Sequence, residues 1–88
     1  MTTGFLLGRL VATPGAMALA NQATMTHLLA RHASGDWGDV DYEDWAANDR
    51  SAREGSRILS AYHVGTEKLW MITEADRSVT TFLLPSEY

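Results

Sequence analysis

The N-terminal half of the chain reads mainly as helix and the C-terminal third as strand. The run "FLLGRLVAT" (5–13) is apolar, with β-branched Val11 near its end, and predicts a strand. "TPGA" then predicts a helix start. Thr13 suits the N-cap, and Pro14 suits the first helical position, where no N–H is needed. A short helix through "AMALA" follows. "NQAT" interrupts it, and Thr24 is expected to cap a second helix over roughly 25–33. Met25, Leu28, Leu29 and His32 fall there at i, i+3, i+4 and i+7, which is one face. Gly35 can close that helix in the left-handed conformation.

A third helix is expected over roughly 41–54. Asp41 is its N-cap and Asp44 stands at the capping-box position. Glu43 and Asp44 suit the positive end of the helix, and Arg50 and Arg53 the negative end. Asp49 and Arg53 form an i, i+4 pair. Gly55 is the C-cap, and Tyr42, Trp45, Ala46 and Ala52 can share a buried stripe. "RILSAYHV" (57–64), "KLWMIT" (68–73) and "VTTFLL" (79–84) then read as strands joined by hairpin-length gaps, with Pro85 stopping the last. The expected fold is one α+β domain over 1–88, in the order β-α-α-α-β-β-β, ending in a three-stranded antiparallel meander.

Each of these strands is apolar on both faces. Trp70 and Ile72 lie on one side, Leu69 and Met71 on the other. Such a sheet should be covered on both sides. Three short helices can cover one face, and the second needs a remaining helix or another copy of the chain. A homodimer is therefore expected.

Charge sharpens this picture. Residues 1–35 carry two arginines and no acid, residues 36–54 sum to −5, and residues 55–88 to −1. A basic nucleic-acid footprint is missing, so direct nucleic-acid binding is not expected. The acidic middle can serve as a solvated helix face or meet a basic partner protein. The chain has no cysteine, which excludes disulfides and cysteine-based zinc sites. No apolar stretch approaches the ~20 residues of a membrane span, and the first residues lack a basic signal-peptide region. A cytoplasmic location is the default expectation.

Four chemistries are open to these side chains. His32, Asp36, Asp39 and Asp41 could offer metal ligands, but their spacing fits no calcium loop and the acids serve equally as turn formers and caps, so no metal is expected. His32 oriented by Asp36 could act as a general base, though no nucleophile motif accompanies it. A nucleotide-like ligand could be held by a pocket of Arg57, Tyr62, Trp70, Arg77 and Ser78, with His32 nearby, for sequestration or for small-enzyme chemistry. Last, the stretch "GDWGDVDYED" could be a binding surface. Trp37 would be its anchor, with Asp36, Asp39, Asp41, Glu43 and Asp44 around it. No cofactor motif is present.

The blocks "LVATPGA", "RHASGDWGDVD", "ILSAY" and "WMITEADRSVTTFLLPSEY" resemble a family of small bacterial proteins carried on plasmids and other mobile elements. Members are usually labelled plasmid-related or by neighbouring restriction–modification genes. The resemblance runs from Gly8 to Tyr88 and carries a setting rather than site residues. It implies a counter-defence role, such as blocking restriction or CRISPR machinery. Together with the acidic segment, it makes a non-enzymatic binding protein the leading expectation.

Overall fold

The computed structural model describes residues 4–88. It contains β1 (Arg9–Ala12), α1 (Pro14–Leu19), α2 (Gln22–Ala33), α3 (Tyr42–Glu54), β2 (Ile58–Val64), β3 (Glu67–Thr73), β4 (Val79–Leu83) and a 3₁₀ turn (Pro85–Glu87). The class is α+β as expected, but the sheet has four strands rather than three. Its order is β1-β4-β3-β2. The β2-β3-β4 meander is antiparallel, while β1 joins it parallel to β4. Period-2 alternation carries no information about partner or direction, so this parallel pair was not readable in advance. β1 is also shorter than expected. Only residues 9–12 pair with β4, because Gly8 takes φ +67° where a Cβ would strike the Arg77 and Ser78 backbone.

Local side chains set the helix starts. The Thr13 hydroxyl accepts from Ala16 N (3.1 Å) and the Asp41 carboxylate from Asp44 N (2.8 Å), both as expected. The cap of α2 is Asn21, which accepts from Thr24 N at 2.8 Å. The helix therefore begins three residues earlier than a Thr24 cap would place it. Gly55 ends α3 at φ +86°. Asp49 does not pair with Arg53; its carboxylate accepts from the Trp37 indole N–H at 2.9 Å.

The sheet's two faces differ in cover. The residues Tyr62, Leu69, Met71 and Phe82 pack under α1 and α2, where Ala16, Ala20 and Leu28 complete the core. α3 does not stack on this face. It runs along β2, and the opposite face is closed partly by the chain's end, where Tyr88 meets Trp70 edge-on at 5.7 Å. Ala61, Ile72 and Leu83 are buried there without a second copy.

The two edges also differ. Beyond β2, Ala61 exchanges main-chain hydrogen bonds with Trp37 O and Asp39 N, and the Asn48 amide bonds both Leu59 O (2.7 Å) and Leu59 N (3.3 Å). Asn48 thus does for one residue what a fifth strand would do. Gly38 allows this close approach, since a Cβ there would meet Ala61 O and the Tyr62 ring. Beyond β1 nothing comparable exists among the described residues. Arg9 N and Thr13 N bond back to β4, so the main-chain groups of Leu10 and Ala12 point away from it.

Candidate functional site

The stretch expected to bind is split by the fold into three parts. Trp37 has no accessible surface and meets His32 and Phe5 ring to ring, at 5.6 and 6.1 Å. It cannot be an exposed anchor in this structure. Its turn position hid its burial, because only the tertiary fold brings α2, α3 and residue 5 around it.

Asp36 and Asp39 are spent on internal pairs. Asp36 takes two bonds from the Arg31 guanidinium (2.7 and 3.2 Å) and one from Gly38 N, and Arg31 holds its carboxyl below the usual range. Asp39 is shared by Lys68 (3.0 Å) and His63 (2.8 Å), which depress its pKa likewise. What remains free is the first turn of α3. Asp41, Glu43 and Asp44 are exposed there and form no ion pair among the described residues. Between them stands Tyr42, 88% exposed rather than in the expected buried stripe. The residue of α3 that is buried is Asn48. The cue for Tyr42 was its place directly after the N-cap, on the first turn and flanked by charges.

A second arrangement lies in the interior. His32 is fully buried, with Nδ1 2.6 Å from Ser60 Oγ and Nε2 2.8 Å from Thr73 Oγ1. Thr73 Oγ1 is 2.8 Å from Thr80 Oγ1, and Thr80 donates to Leu7 O at 2.7 Å. The terminal carbonyl can only accept, so it orients the whole row. Thr80 gives its proton to Leu7 O and accepts from Thr73. Thr73 therefore accepts from His32 Nε2–H, which leaves Nδ1 to accept from Ser60. Burial, helped by the nearby Arg77 charge, pushes the His32 pKa down to about 4, so the ring is neutral.

A serine donating to an oriented imidazole is a nucleophile–base geometry. Here every member of the row, Ser60, His32, Thr73 and Thr80, is buried with essentially no accessible surface. No reactant reaches Ser60, and the row works as a polar brace inside the core. The expected His32–Asp36 pairing does not occur, because Asp36 turns to Arg31 instead. Thr73 was missed as a partner. It and Thr80 are register neighbours, which only the β3–β4 pairing reveals.

The residues of the alternative pocket are not gathered. Tyr62 is buried under the Arg31 guanidinium and donates to Asp36 O. The Arg77 guanidinium is committed to three main-chain carbonyls, of Ser51, Ser56 and Glu74. Arg57 pairs with Glu74 and bonds the Tyr88 hydroxyl, so it shares Tyr88 with Trp70. Ser78 is exposed in the β3–β4 hairpin, where its N–H donates to Asp76. Two cavities each hold one member of this set: Arg57 lines one of about 210 Å³ between α3 and β2, and Arg77 lines an open one of about 690 Å³ beside residues 4–8. Among the described residues no helix is long and apolar enough to cross a membrane. No family model, no curated protein and no solved structure matches the chain.

Proposed function

We propose that the chain is a non-enzymatic binding protein that docks on a basic face of a partner protein through the first turn of α3. The observation that carries this reading is Tyr42, an aromatic side chain 88% exposed on a helical turn between Asp41, Glu43 and Asp44. Folding gains little from a tyrosine there. Binding gains a rigid amphipathic ring, a residue type enriched at interface hot spots. The surrounding carboxylates supply steering toward positive charge. The anchor is thus Tyr42 in place of Trp37, and the charged surround is Asp41, Glu43 and Asp44. A nucleic-acid-handling host protein is the partner class that suits both this charge and the mobile-element resemblance, with inhibition of host defence as the outcome.

The reading is tested by purifying the tagged chain from a native host and identifying stoichiometric partners by mass spectrometry. Affinity for the partner is then measured with purified variants. Tyr42→Ala should weaken binding roughly tenfold or more at unchanged melting temperature. Glu43→Lys with Asp44→Lys should slow association and flatten its salt dependence. Wild-type affinity in Tyr42→Ala overturns the proposal.

A further inference from the structure

We infer that the outer edge of β1 is a two-fold interface, at which a second copy of this chain adds its own β1 antiparallel to build one eight-stranded sheet. The argument begins with the contrast between the two edges. The β2 edge is closed at Ala61 by a bridging segment and at Leu59 by the Asn48 amide. The β1 edge leaves the main-chain groups of Leu10 and Ala12 without a partner among the described residues. Its guards are only two, the shortness of the four-residue strand and the charge of Arg9. Residues 9–12 contain no lysine, no proline and no inward-pointing charge. Leu10 is instead 48% exposed and Val11 36%. Beside them an open groove of about 260 Å³ runs between β1 and α2, walled by Leu10, Ala12, Met25, Leu29 and Phe82.

The chemistry of the edge selects the occupant. Centring a two-fold axis on Val11 sets Leu10 opposite Ala12 of the partner subunit. Those two residue types are the ones whose N–H and C=O point outward, so the pairing forms four main-chain hydrogen bonds. Leu10 of the partner subunit then lies on the α2 side of the sheet, at the mouth of the groove.

Charge fits the same register. Arg9 falls opposite Thr13 of the partner subunit. Within one chain the Thr13 hydroxyl donates to the Glu87 carboxylate at 2.6 Å, and Gly15 N and Leu84 N donate to it as well. Arg9 has no ion pair among the described residues, and neither has Glu87. Thr13 and Leu84 hold the Glu87 carboxyl below the usual range, so it stays ionised. Antiparallel self-pairing thus brings an unpaired cation toward an unpaired anion twice over, which an arbitrary foreign strand would not do.

The test is the solution mass of the whole chain by light scattering and sedimentation across a dilution series, with circular dichroism to verify folding. The wild type should be a dimer that dissociates on dilution. Leu10→Lys sets two like charges near the axis, and Arg9→Glu sets each new carboxylate toward Glu87. Each should raise the dissociation constant roughly tenfold or more at unchanged circular dichroism. Adding Glu87→Arg to Arg9→Glu should recover much of the loss. The mass of a single chain at every concentration overturns the proposal, and leaves a strand from another protein as the occupant. A dimer indifferent to both single changes overturns the β1 edge. Failure of the double change to recover affinity overturns this register.

Discussion

Trp37 and His32 show how a side chain's meaning depends on what surrounds it. Trp37 looked like a surface anchor because it sits in a turn between Asp36 and Gly38. It is instead a core residue, with its indole N–H satisfied by Asp49. Trp37→Ala should therefore cost about 3–5 kcal/mol, a large part of the roughly 5–10 kcal/mol expected for a chain of this size. Chemical denaturation should show the midpoint moved strongly to lower denaturant; a wild-type midpoint would refute the packing role. His32 predicts a pH dependence. An unfolded histidine takes its proton near pH 6.5, the folded one not until about 4. Between these values the unfolded state binds more protons, so stability is complete above about pH 6.5 and falls as pH drops toward 4. The full effect is about 3 kcal/mol. Urea unfolding from pH 7 to 4.5 should show this slope, and His32→Gln should lose it. Asp36, Asp39, Asp76 and Glu87 have depressed pKa values, so their losses begin lower still.

Among the elements, α3 was the most legible and still the most misread. Its caps, Asp41 and Gly55, stand where the sequence put them. Asp41→Ala should cost about 1 kcal/mol, checked by the thermal midpoint. Of its expected stripe, Trp45, Ala46 and Ala52 are half-buried, while Tyr42 is exposed. α3 lies along a strand edge, where a polar residue suits the contact, and Asn48 supplies it. Asn48→Leu keeps the volume but strips both bonds from Leu59, leaving a strand N–H and C=O without partners. It should destabilise by roughly 2–4 kcal/mol and raise amide exchange at Leu59 selectively. Unchanged protection at Leu59 would sink the edge-capping account.

The whole molecule has one closed edge and one open edge. Among the described residues its most exposed large apolar side chains besides the tyrosines are Leu6, Leu10, Val11 and Met17, and Leu10 and Val11 lie on β1 itself. If copies pair there, the melting temperature should rise with protein concentration, since association stabilises the folded chain by mass action. A melting temperature independent of concentration argues against pairing. The acidic turn of α3 lies by β2, the strand at the far end of the sheet from β1. Binding of a basic partner and pairing of copies therefore use different surfaces and can be tested separately.

Residues close in sequence wrote the local structure. Caps, glycine stops, hairpin-length gaps and the apolar runs of β2, β3 and β4 depend on neighbours a few positions apart, so they could be read directly. The α+β class followed from them. The parallel partner of β1, the edge role of Asn48, the burial of Trp37 and the Ser60–His32–Thr73–Thr80 row could not be read. Each joins residues that are remote in sequence or on different strands, and neither hydropathy period encodes which strand edge meets which. The acidic cluster was visible as charge, but its reduction to Asp41, Glu43 and Asp44 came from ion pairs with Arg31 and Lys68 and a hydrogen bond with His63, which the fold alone brings within reach.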